Sequence, residues 1–206
     1  MSKKHNRGIY SSNKNQKYKD LSQDIQTLTV SYTFLMSTLI IFLLSLESFR
    51  LELFGNSVSL AIFFMPFVYF LVDVILKEIG LKPAIKAIVT SIFVLFLFSL
   101  VTDYLFHVEF SLFRYIGLML SYSISQFLNT SVYYYMLSNY RTPLFLVLFN
   151  LVFALLVNNM IYMFFTSNMI FTTHFWSTYI IIICIQTLVS MILTLILNLI
   201  EQGLEL

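Results

Sequence analysis

The stretch Thr142-Pro-Leu-Phe-Leu-Val-Leu-Phe-Asn150-Leu-Val-Phe-Ala-Leu-Leu-Val-Asn158-Asn159-Met-Ile-Tyr162-Met-Phe-Phe165 contains no Asp, Glu, Lys or Arg. A helix rising 1.5 Å per residue needs about 20 apolar residues to cross a hydrocarbon core roughly 30 Å thick, and this stretch is long enough. It is apolar without a break and does not alternate at period two, which argues against a barrel strand. Five further stretches have the same character: Thr27–Leu46, Ser57–Leu76, Ala84–Leu105, Leu112–Met136 and Phe175–Ile200. The expected fold is therefore all-α, a polytopic membrane bundle of six transmembrane helices over residues 27–200. A basic tail (residues 1–26) precedes it and a short tail (residues 201–206) follows.

Composition agrees. Of 206 residues, 59% are apolar, 17% aromatic and 11% charged, whereas soluble domains carry roughly 25% charged residues. Too few polar groups exist to cover a water-facing surface, which excludes an ordinary soluble domain, a disordered chain and a nucleic-acid binder. A single cysteine, Cys184, excludes an internal disulfide and a Cys-rich metal site, and reads as a small buried apolar residue. The first apolar stretch is too long for a signal-peptide core and lacks a small-residue cleavage site, so it reads as a retained span.

Lys and Arg set the orientation. Lys3, Lys4, Arg7, Lys14, Lys17 and Lys19 lie in the first tail, Lys77, Lys82 and Lys86 around the second connection, and Arg141 in the fourth. Ten of the twelve positive residues thus fall on one side. Arg50 and Arg114 fall on the other, with Glu47, Glu52, Asp103 and Glu109. Both termini are expected in the cytoplasm. Connections are short, so function must reside in the helices.

Polar residues inside the spans are informative because lipid disfavours them; a central Asp costs about 2.5–3.5 kcal/mol on insertion scales. Asp73 lies near the cytoplasmic end of span two, seven residues after Pro66. It reads either as a partner of Lys77 at i+4 or as an acceptor facing an interior cavity. Span four carries Ser121, Tyr122, Ser125, Gln126 and Asn129 at spacings of three and four, so they share a face. Span five carries Asn150, Ala154, Asn158 and Tyr162 in an i+4 row, with Asn159 beside it. Span six carries Gln186, Ser190, Thr194 and Asn198. Such stripes read either as interhelical glue or as the lining of a polar, uncharged interior suited to a small neutral ligand. His107 and His174 have no partner at metal-ligand spacing and read as interfacial. No nucleophile-elbow, zinc-protease or P-loop motif is present, so neither an enzyme nor a cofactor is expected.

Leu53-Phe-Gly55, then Pro66-Phe-Val-Tyr-Phe-Leu-Val-Asp73 and Gly80, resembles the queuosine-precursor transporter family, six-helix bacterial inner-membrane proteins. Ser125-Gln-Phe-Leu-Asn129 is similar to the family's Ser-Gln-Phe-Leu-Asp, and Asn150…Asn158-Asn159…Tyr162 to its span-five pattern. Asn129 and Asn158 stand where the family has Asp. Arg114 stands one residue out of register with the family's Arg at the start of span four. The resemblance implies a multi-pass inner-membrane importer of 7-cyano- or 7-aminomethyl-7-deazaguanine, or a related purine-like base, for tRNA queuosine modification. The candidate substrate-binding residues are then Asp73, Gln126, Asn129, Asn158, Asn159 and Arg114. The implied partners are the base and the lipid bilayer. A homodimer is compatible with the sequence, although no Gly-x-x-x-Gly motif specifies one. A substrate-binding component of a multi-subunit vitamin importer and a non-transporting membrane interaction protein are the alternatives.

Overall fold

A computed structural model describes residues 6–47, 49–105, 112–139, 144–166 and 173–204. The order is α1 (Asn6–Leu46), β1 (Arg50–Leu53), β2 (Asn56–Ser59), a 3-10 turn (Leu60–Phe63), α2 (Met65–Glu78), α3 (Leu81–Leu105), α4 (Leu112–Asn139), α5 (Leu144–Thr166) and α6 (Thr173–Leu204). From Asn6 onward, the residues assigned to a tail belong to the same helix as the first span.

Five segments are long and apolar enough to cross a membrane: Gln23–Leu46, Leu60–Glu78, Leu81–Leu105, Leu144–Phe165 and His174–Ile196. A helical membrane bundle fits this pattern. The remaining helix, α4, is long but more polar, and five of its polar residues point inward: Ser121, Ser125, Gln126, Asn129 and Thr130 are all buried.

The shortest helix occupies the middle. α2 packs against each of the other five helices. Its buried residues Pro66, Val68, Tyr69, Val72, Asp73, Ile75 and Leu76 follow the three- and four-residue spacing of a wide interior face. Lys77 occupies its last turn, where a cation complements the helix dipole. Gly80 then adopts φ +108°, and the amides of Ile79 and Gly80 both return to the Ile75 carbonyl. A side chain at Gly80 would be strained at that φ, so glycine permits the reversal into α3.

The second span departs from expectation. Helix was expected throughout Ser57–Leu76, yet Ser57–Ser59 belong to β2 and helix begins at Met65. Pro66 supplies one reason. It lacks an N–H and fits the first turn of a helix, where no intrahelical acceptor is needed, better than the interior. The Phe54-Gly55 turn supplies another. Both residues have positive φ, at 52° and 75°, the geometry that closes a two-residue hairpin with the right twist. β1 and β2 pair antiparallel, Leu51 opposite Val58 and Leu53 opposite Asn56. The all-α expectation is corrected by this one small hairpin.

The hairpin is anchored. Asn56 Oδ1 accepts hydrogen bonds from the hydroxyls of Ser177 (3.0 Å) and Thr178 (2.9 Å) on α6. Val58 and Ile62 pack with Ile182 of the same helix. Elsewhere α4 and α5 approach so closely at Gly117 that an added Cβ would lie 2.5 Å from Phe165 Cβ.

Candidate functional site

Where the second span breaks, a cavity of about 350 Å³ opens. Ligand pockets commonly measure about 300–1,000 Å³. Ser57, Val58 and Ser59 of β2, Ala61 and Ile62 of the 3-10 turn, and Met65 at the start of α2 form one wall. Within a membrane, backbone outside regular helix is tolerated where it is buried in protein or borders a cavity, because lipid cannot satisfy its polar groups. The break and the cavity therefore belong together.

The rest of the wall has two characters. Ile40 and Leu43 of α1, Leu95 of α3 and Leu118 of α4 are apolar. Ser121 and Tyr122 of α4, Asn158, Asn159 and Tyr162 of α5, and Thr178 and Gln186 of α6 are polar without net charge. Asn159 donates to Gln186 Oε1 and to the Leu155 carbonyl (2.8 Å), which fixes its carboxamide. Ser125 Oγ donates to the Ser121 carbonyl at 2.5 Å, is hydrogen-bonded to the Tyr69 hydroxyl and lies 3.5 Å from Asn158 Oδ1. Tyr69 and Tyr122 meet edge to face, their ring centroids 6.3 Å apart.

Charges gather at the hairpin end of the bundle. Glu47 and Arg50 line the cavity there. Glu47 accepts from Tyr162 Oη at 2.7 Å and pairs with Arg114 at 3.5 Å. Arg114 also pairs with Asp103 at 3.2 Å, and Tyr115 donates to the same carboxylate. The cluster links the ends of α1 and α3 to α4 and α5.

The six candidate residues fall into four places. Asn158 and Asn159 line the cavity. Arg114 lies outside its wall and pairs with the lining residue Glu47. Asp73 and Asn129 are bonded to each other elsewhere: Asn129 Nδ2 donates to Asp73 Oδ1 at 2.6 Å, and Asn150 Nδ2 donates to Asn129 Oδ1 at 2.7 Å. Gln126 is fully buried one turn beyond Tyr122 and is not part of the cavity wall. Asp73 and Lys77 both border a second void, of about 20 Å³.

Glu47, Arg50 and Gln186 were absent from the candidate set. Gln186 was visible as the first member of the α6 stripe. Glu47 and Arg50 read in sequence as loop charges, and only the fold turns them toward the cavity. Cys184, expected to be buried, is exposed on α6, because Ile182 and Gln186 take that helix's inward positions. His174 is exposed, and His107 lies outside the described residues. Among the described residues, no group of three His, Cys, Asp or Glu side chains gathers to hold a metal. The chain matches no family model, no curated protein and no solved structure.

Proposed function

We propose that this protein is a six-span inner-membrane carrier that imports a queuosine precursor, 7-cyano- or 7-aminomethyl-7-deazaguanine or a related purine-like base. The observation that carries the reading is the group of uncharged amides Asn158, Asn159 and Gln186 in a cavity of about 350 Å³ that is charged only at its hairpin end, by Glu47 and Arg50 among the described residues. A carboxamide offers both donors and acceptors. A guanine-like edge presents N–H donors beside a carbonyl acceptor; with the Asn159 amide nitrogen committed to Leu155 and Gln186, Asn159 Oδ1 is left to accept from such an edge and Gln186 Nε2 to donate to it. Tyr122 and Tyr162 supply aromatic faces or edges for a planar ring. The motif order over residues 53–162 supports the same family of solutes.

In this reading α4 is the sixth span. Its main polar stripe faces the bundle interior, and its outer side is largely apolar and aromatic. The Lys and Arg asymmetry puts both termini in the cytoplasm, and the hairpin end, with Glu47, Arg50, Asp103 and Arg114, faces outward. Solute enters from that end, and alternating access carries it past α2. The wall serves recognition, and no chemical step is assigned to it.

Complementation tests this. In a bacterial cell lacking its own importer, expression of this chain at limiting external precursor is expected to restore queuosine in tRNA, and Asn158→Ala together with Asn159→Ala is expected to abolish the effect. No restoration at normal membrane expression overturns the reading. Co-purification with ATP-hydrolysing subunits reassigns the chain as the binding component of a multi-subunit importer.

A further inference from the structure

Asp73 occupies a compartment of its own. Its side chain is 3% exposed, on the helix that touches all the others. Oδ1 accepts the Asn129 amide, but Oδ2 has no hydrogen-bond partner. A buried carboxylate with an unsatisfied oxygen is costly unless a proton, an ion or a well-placed cation compensates it. The carboxylate borders the void of about 20 Å³. A site needs roughly 10–15 Å³ of such space to hold one water. The void therefore admits a single water or a small ion and excludes a heteroaromatic ring.

The unsatisfied oxygen at the void is Asp73 Oδ2, the kind of ligand a hard cation takes. Asn150, which donates to Asn129, also leaves its Oδ1 without a partner, but it does not border the void. The charged and titratable groups around the void are Lys77 and Glu78 from α2 and Tyr133 from α4. The α5 residues at this level, Val147 and Asn150, do not titrate.

We propose that Asp73 binds a small monovalent cation, a proton or a sodium ion, at Oδ2, in a site separate from the solute cavity. As a proton site, Oδ2 gains an O–H bond and later returns the proton to water in the void. As a sodium site, the carboxylate stays ionised and its charge is shared with the ion. The two compartments communicate through α4. Asn129 and Ser125 lie one turn apart on one face. Asn129 holds Asp73, while Ser125, its own proton directed to the Ser121 carbonyl, is hydrogen-bonded to Tyr69 of α2 and lies 3.5 Å from Asn158 in the cavity wall. The use of this site to couple an ion gradient to uptake rests on the carrier reading; the binding itself does not.

The test uses purified full-length protein in lipid nanodiscs without solute, as wild type, Asp73→Asn and Asp73→Glu. Radioactive sodium binding is measured, and infrared difference spectra follow the carbonyl stretch of a protonated carboxylic acid through a pH titration. Saturable sodium binding that Asp73→Asn abolishes supports the sodium form. A carboxylic-acid band at neutral pH that is absent in Asp73→Asn and shifted in Asp73→Glu supports the proton form. If Asp73→Asn does not fold, the wild-type isotherm and the Asp73→Glu band shift decide. Neither signal in wild type overturns the proposal, Asp73 then being a fixed charge compensated within the protein, for instance by Lys77. Binding of 7-aminomethyl-7-deazaguanine to the same wild-type sample is read separately. Its failure sinks the carrier reading and leaves the cation site standing, and the reverse failure leaves solute binding untouched.

Discussion

Asn129 donates its side-chain amide to Asp73 at 2.6 Å, and in turn accepts from Asn150 at 2.7 Å. One asparagine thereby fastens the central helix α2 to both α4 and α5. Removing it leaves Asp73 Oδ1 without its donor, whereas Asn150 keeps its second bond, to the Asn129 backbone carbonyl at 3.1 Å. A buried polar group left without its partner costs about 1–3 kcal/mol, more when it is charged. Asn129→Ala is expected to lower the thermal unfolding midpoint in nanodiscs by several degrees, whereas Thr38→Ala, at an exposed hydroxyl bonded only within its own helix, is expected to change it little. Equal midpoints for Asn129→Ala and wild type would show that the bridge does not stabilise the bundle.

Gly117 sets the α4–α5 spacing. A methyl group there meets Phe165 Cβ at 2.5 Å, so the helices must separate. Overpacking of this kind costs about 1–3 kcal/mol. Gly117→Ala is expected to reduce thermal stability, and Phe165→Ala is expected not to rescue it, since the obstructing atom is the Cβ that alanine retains. Full rescue by Phe165→Ala would place the clash on the ring instead.

Asn56 holds the hairpin against α6 by accepting two hydroxyl hydrogen bonds. Each is worth about 0.5–1.5 kcal/mol net, so their joint loss shifts a local opening equilibrium by about fivefold or more. With Cys184 replaced by Ser and a reporter introduced as Val58→Cys, a position 1% exposed in the closed hairpin, Asn56→Ala is expected to accelerate labelling by a water-soluble maleimide. An unchanged rate would mean that the apolar contacts of Ile62 hold the hairpin alone.

How much of this was legible in the sequence follows from what each signal measures. Lipid fixes the length of an apolar run, and the bundle could be read from Thr142–Phe165 and its counterparts because no charge interrupts them. Apolar length does not distinguish a strand from a helix over a few residues. Apolar length alone therefore predicts helix over Ser57–Ser59, although Pro66 and the Phe54-Gly55 pair carry the contrary signal. Asn158 and Asn159 were legible as part of a helical row. Glu47 and Arg50 were not, since nothing local says that the chain folds back after them. The separation of Asp73 from the cavity was also hidden. Met65 and Asp73 share one helix, but eight residues at 1.5 Å each put them about 12 Å apart along its axis. A shared polar character in sequence thus mapped to two compartments.

Equilibrium binding of tritiated 7-aminomethyl-7-deazaguanine to purified protein in nanodiscs bears most directly on the solute site. Saturable binding is expected, weakened about tenfold or more by Asn159→Leu, which removes a hydrogen-bonding amide from the wall and so loses roughly 1.4 kcal/mol or more. The lipid-facing change Phe145→Leu, at a residue 72% exposed, is expected to leave affinity unchanged. Absence of saturable binding, or equal affinity in Asn159→Leu and wild type, would refute the assignment of this cavity to a purine-like solute.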